Sequence, residues 1–79
     1  MREFKVTAFW DSEASVWVAE SEDVPGLVTE ADTVEQLVAK LRVMVPELLE
    51  ANGVLEADVK DVPIRLVAER AMYASRDAA

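Results

Sequence analysis

Two residue types are missing from this 79-residue chain altogether: it has no cysteine and no histidine. Without cysteine there can be no disulfide, no thiolate metal site and no thiol nucleophile. Without histidine, Ser–His and Cys–His catalytic pairs and imidazole-bound metals are excluded as well. Glycine is nearly absent, occurring only as Gly26 and Gly53, so the chain has no glycine-rich loop to cradle a phosphate. No unbroken apolar run exceeds a few residues, whereas a membrane-spanning helix needs about 20. The N-terminal residues start directly with a strand-like pattern and show no apolar signal-peptide core, so the expected location is cytoplasmic, with no membrane partner and no cofactor.

Basic residues are scarce too: eight Lys and Arg stand against sixteen Asp and Glu, a formal net charge of −8. The eight are scattered, which disfavours a phosphate-binding surface and direct contact with nucleic acid. A basic protein partner fits this charge better. Seventy-nine residues support one small core, and with no disulfide or thiolate metal site to reinforce it, good packing or self-association must help; a dimer is expected.

What the chain does contain is clear alternation. From Arg2 to Trp10, residues Phe4, Val6, Ala8 and Trp10 fall on one side of a strand, and Glu3, Lys5 and Thr7 on the other. Asp11 to Ser15 is a polar break of hairpin length, after which Val16-Trp17-Val18-Ala19 resumes as an antiparallel partner. Pro25-Gly26 suits the centre of a type II turn, and Leu27 to Ala31 reads as a third short strand. Asp32 or Thr33 is placed to cap a helix, with Glu35 or Gln36 three residues on.

From Val34 the period changes: Val34, Leu37, Val38, Leu41, Val45, Leu48 and Leu49 recur at separations of three and four, the mark of an amphipathic helix. Pro46 lies inside it and predicts a kink or break between Val43 and Pro46, and because the stripe continues past it a kink is expected to be tolerated. Asn52-Gly53 suits a left-handed C-terminal cap. Alternation returns from Val59 to Ala68, and Pro63 places its own position at an edge or at the strand's start.

The expected fold is therefore α+β, a two-layer β-β-β-α-β domain over residues 1–70: an antiparallel meander, a crossover helix and a fourth strand. Residues 71–79 form a tail, disordered or a short helical turn. One helix covers one face of a sheet. Strand parity assigns Phe9, Trp17, Ala19 and Val67 to the uncovered face and so to a dimer interface. The acidic residues Glu20, Glu22, Asp23 and Glu30, together with Trp17, are the candidate partner-binding positions. Pro25, Gly26, Asp32, Thr33 and Gly53 are assigned structural work as turn and cap.

These pieces, taken in order, resemble the HicB-like antitoxin domain, in particular its single-domain relatives, over about the first two-thirds of the chain. The resemblance is carried by the alternating strand Phe4 to Trp10, the aromatic Trp17, the turn Asp23-Val24-Pro25-Gly26, and the helix start Ala31-Asp32-Thr33-Val34-Glu35-Gln36. It implies a partial, degenerate RNase H-like sheet without nuclease function, which masks a small, basic, RNA-cleaving HicA-like toxin. Complete antitoxins of this kind also carry a C-terminal DNA-binding segment. About ten residues follow the last expected strand here, a departure that argues against operator binding.

Two other readings stand beside this one. A structural or regulatory homodimer would need no toxin. A carboxylate-bound Mg²⁺ nuclease would need several Asp or Glu oxygens to converge. Its candidates are Asp11 and Glu13 in the first hairpin, Glu20, Glu22 and Asp23 after the second strand, and Glu30 and Asp32 after the third. These sit at different points of the expected sheet rim, so solvated surface charge accounts for them better, and neither a catalytic nor a metal-binding residue is assigned.

Overall fold

The computed structural model describes residues 3–56 and 58–77; Arg2, placed in the first strand above, and the last two residues of the tail lie outside them. The described chain is α+β. Strand β1 spans Phe4–Asp11, β2 Val16–Glu20 and β3 Val28–Ala31, helix α1 spans Val34–Ala51, and β4 spans Ile64–Glu69. The sheet is mixed, in the order β3-β2-β1-β4. The pairs β1–β2 and β2–β3 are antiparallel, and β4 runs parallel to β1.

Local chemistry explains each boundary. The hairpin between β1 and β2 is organised by Asp11, whose Oδ1 accepts from the N–H groups of Glu13 at 3.0 Å and Ala14 at 3.2 Å. Leu27 donates its N–H to the Val24 carbonyl at 3.2 Å, and Gly26 has φ +82°, as the third position of a type II turn requires. Because Leu27 is engaged in that turn, β3 begins one residue later than expected. Pro63 has no N–H to enter a ladder, and its carbonyl accepts from Phe4 N–H at 2.9 Å. The proline therefore stands at the mouth of β4, which starts at Ile64 instead of Val59.

Thr33, not Asp32, caps α1: its backbone is extended and its hydroxyl accepts from Gln36 N–H at 3.1 Å. At the other end Gly53, at φ +69°, donates to Glu50 and Val54 to Leu49, the paired bonds of a Schellman cap. No break occurs at Pro46, and the helix is continuous from Val34 to Ala51. The proline forfeits one bond to the Arg42 carbonyl, while burial of Leu37, Leu41, Val45 and Leu49 along a single stripe holds the helix on the sheet.

The core is the layer between that stripe and one face of the sheet, which contributes Phe4, Val6, Ala8, Ala19 and Ala31; Val24 and Leu27 close it at the turn. No polar or charged residue among those described is buried. The helix lies over β2 and β3. Toward β4 it leaves a groove lined by Val38, Leu41, Arg42, Val62, Ile64 and Leu66.

Candidate partner-binding surface

Cross-strand partners share a face of the sheet, so the register decides which side chains look away from the helix. Asp11 pairs with Val16, which sets Trp10 against Trp17, Ala8 against Ala19 and Phe9 against Val18. The face without a helix therefore carries Lys5, Thr7 and Phe9 of β1, Val18 and Glu20 of β2, Val28 and Glu30 of β3, and Arg65, Val67 and Glu69 of β4. Phe9 is 41% exposed and Val28 69%. Phe9 and Val18 adjoin on the two central strands, flanked in their row by Glu69 and Glu30 on the edge strands, while the next row runs Val67, Thr7, Glu20 and Val28.

At the end of the face nearest the Pro25-Gly26 turn lies an open depression bounded by Lys5, Thr7, Glu20, Glu22, Asp23 and Val28. Side chains tie its wall to β1 just where strand pairing with β2 stops. Ser21 donates its hydroxyl to the Lys5 carbonyl at 2.6 Å and accepts from Asp23 N–H at 3.0 Å and Val24 N–H at 3.1 Å. Asp23 Oδ2 accepts from Lys5 N–H at 2.8 Å. Both main-chain polar groups of Lys5 thus meet side chains instead of a strand, and the turn is held rigidly beside the sheet. On the β4 side, Glu3 Oε1 accepts from Arg65 Nε at 2.7 Å. That hydrogen bond, helped by the opposite charge, raises the pKa of an already cationic guanidinium.

Over residues 3–75 the sequence matches the family described as a domain of unknown function, DUF1902. The chain belongs to that family. It is also similar to a solved structure, a hypothetical protein TTHA1013 from the extreme thermophile Thermus thermophilus, at 57% identity over 94% of this chain and 99% of that one, with a TM-score of 0.69. No curated protein matches.

In this DUF1902 chain the candidate residues separate into three groups. Phe9 and Val67 lie on the open face as parity predicted, but Trp17 and Ala19 do not. Ala19 is fully buried beneath the helix, and Trp17 packs against the core with its ring in T-shaped contact with Trp10, centroids 5.7 Å apart. The expectation failed on register. Val16 and Val18 look like the inward residues of a β-branched strand, yet the four-residue loop Ser12–Ser15 turns Trp17 and Ala19 inward and leaves Val18 outside.

Glu20 and Glu30 are brought together on the open face, where Glu20 pairs with Val28 and Glu30 with Val18. Glu22 is exposed beside them, while Asp23 is half-buried and holds the β1 backbone. Sequence reasoning missed Val28 and Val18. The separation of Asp11 and Val16 by a four-residue turn was the available signal, since it fixes every pair that follows.

The carboxylates offered for a metal do not gather: among the described residues no three Asp or Glu side chains are close enough to hold an ion. Asp11 is committed to its turn at one end of β1 and Asp23 to Lys5 at the other. Among the same residues, no helix is long and apolar enough to cross a membrane.

Proposed function

We propose that this chain is a non-enzymatic protein-binding domain, active in the cytoplasm and self-associating, that offers the open face of its sheet to a basic protein. The observation that carries the reading is the uncovered face itself, where Phe9 and Val18 adjoin on the central strands, Val28 and Val67 lie on the edge strands, and Glu20, Glu30 and Glu69 are interspersed among them. Exposed apolar side chains gathered on one uncovered face mark a protein interface, and the carboxylates among them set the charge of the partner. A net charge of −8 steers a cationic partner toward it and speeds encounter at low salt.

The likeness to HicB-like antitoxin domains narrows the partner to a small, basic, RNA-cleaving toxin of the HicA type. The meander, crossover helix and fourth strand support the RNase H-like description, and the ordered turn and cap at Asp23–Gly26 and Thr33–Gln36 support the family likeness. Trp17 supports the binding surface from beneath, through its packing, and does not belong to it.

The test is co-expression with a small basic HicA-like toxin, taken from the adjacent reading frame where one is encoded there. Relief of growth arrest and co-purification of the two chains are expected, and Val28→Asp, which introduces charge at an exposed position, should abolish both. Growth arrest that persists at full expression of the wild-type chain overturns the toxin assignment. Failure of any basic protein to bind, at low salt as well as high, overturns the docking role.

A further inference from the structure

The two edges of the sheet are finished differently. Strand β3 is four residues long, and Lys40 from the helix donates its ammonium to the carbonyl of Glu30. A lysine over an edge is a device that discourages another strand from joining. Strand β4 has six residues and no such guard among the described residues.

Its pairing also shows which groups look outward. Phe4 N–H donates to the Pro63 carbonyl, so residues of odd number in β4 turn their main-chain groups toward β1. Those of Ile64, Leu66 and Ala68 turn away from the sheet. Pro63, which lacks an N–H, is oriented so that its deficiency falls on the β1 side and costs the outer edge nothing.

The segment that follows β4 projects from the body. The molecule measures 56 × 23 × 19 Å with a radius of gyration of 15.2 Å, against about 12 Å for a compact chain of this length. Arg70 remains attached, its guanidinium 4.2 Å from the centre of the Trp10 ring. Beyond it Met72 is 74% exposed and Tyr73 wholly so, an unusual position for two large apolar side chains on a single chain in water. Charge divides at the same point: residues 1–69 contain six basic and fifteen acidic residues, a net −9, whereas residues 70–79 contain two basic and one acidic, a net +1.

We propose that a second copy of this chain pairs with the outer edge of β4, antiparallel and about a two-fold axis at Val67, with each arm laid along its partner. This rests on the self-association part of the reading above and deepens it. In that register Leu66 bonds to the partner's Ala68 and Ile64 to the partner's Arg70, so every outward group of β4 is used. Arg65 stands opposite the partner's Glu69 in a non-hydrogen-bonded pair, where side chains come closest. Met72 meets the partner's Val62, at the mouth of the groove left between helix and β4. The basic arm lies against an acidic body. The two sheets become one of eight strands, and the open faces of both copies stay free for a further partner.

The absence of cysteine makes the register readable. Val67→Cys places two thiols at the axis, where facing Cα atoms of such a pair are about 4.5 Å apart, within disulfide range. Sedimentation of the wild-type chain should give twice the monomer mass, and Val67→Cys with oxidised glutathione should convert most of the protein to a covalent dimer, while Val18→Cys, on the open face, should not. Ala68→Pro removes an outward N–H that the chain's own ladder does not use; it should give a monomer with an unchanged circular dichroism spectrum.

A dimer that Val67→Cys does not link overturns the edge pairing and leaves self-association standing, as does a folded Ala68→Pro that remains dimeric. Should Ala68→Pro fail to fold, Val67→Cys decides alone. A monomeric wild-type chain overturns both the pairing and the dimer. Loss of partner binding by Val28→Asp with the disulfide intact separates the open-face reading from this one.

Discussion

Where β2 and β3 meet the helix, the chain closes on itself: Ala19 and Ala31 are small enough to bring α1 down onto the sheet, Asn52 bonds the carbonyls of Leu48 at 2.7 Å and Pro25 at 3.4 Å, and Lys40 covers a β3 carbonyl. Around β4 the same fold stays open. Ile64 and Leu66 are half-buried beside a groove, and Ala68 to Asp77 are exposed. Both regions are built from apolar residues at strand spacing. What differs is whether another element of the same chain reaches them, so the closed side holds the fold together and the open side is available for association.

The comparison predicts a gradient of mutational cost. Leu37→Ala removes a fully buried side chain from the helix stripe and should cost about 3 kcal/mol in urea unfolding, enough to unfold much of so small a domain. Leu66→Ala, beside the groove, should cost less than half as much; equal losses would mean that the β4 side is as tightly packed as the other. Ala19→Leu should destabilise by about 1–3 kcal/mol through overpacking, whereas Val18→Leu one residue away should stay within about 0.5 kcal/mol, a contrast that checks the register directly.

Thr33→Ala should lower stability by about 1 kcal/mol through loss of the bond to Gln36 N–H. Gly53→Ala should cost a similar amount, about 1–2 kcal/mol. A Cβ there meets nothing within 4 Å, so the whole effect comes from φ +69°. The smallest change belongs to Glu3→Gln. The Glu3–Arg65 pair is solvent-exposed, so its removal should leave the unfolding midpoint unmoved within error. The raised Arg65 pKa contributes below the guanidinium's titration and is lost only above it, so across the physiological range this pair responds to salt and not to pH.

Much of this was legible in residue order. Asp32-Thr33 and Asn52-Gly53 announced the ends of α1, Pro25-Gly26 the turn, and the three-and-four spacing from Val34 the buried stripe, because each is a local conformational demand that a few neighbouring residues satisfy. At Pro46 the break did not form, for the complementary reason. Its local cost is real, but the apolar stripe on both sides of it is buried against the sheet, and packing outweighs one missing hydrogen bond. The β4 boundary was read five residues early, since Val59 and Val62 continue the alternation while the ladder cannot form before Pro63.

The candidate surface was half visible. Phe9 and Val67 follow from counting along single strands, whereas Glu20 and Glu30 were chosen for their charge. Trp17 and Ala19 were assigned to the wrong face because the facing of β2 depends on its alignment with β1, and alternation within one strand has two equivalent solutions until a partner is supplied. A one-residue difference in pairing exchanges Trp17 for Val18 across the whole layer.

What the sequence determined by itself was the set of short-range instructions: no thiol or imidazole chemistry, one amphipathic helix, its caps, its turns and four alternating strands. Tertiary structure alone decided which alternate residues went inward, that β4 should lie parallel beside β1 at an unguarded edge, and that Phe9, Val18 and Val28 should come to share one exposed face. The division follows from range. A cap or turn is satisfied by residues a few places apart, whereas a face exists only once strands from distant parts of the chain have chosen their register.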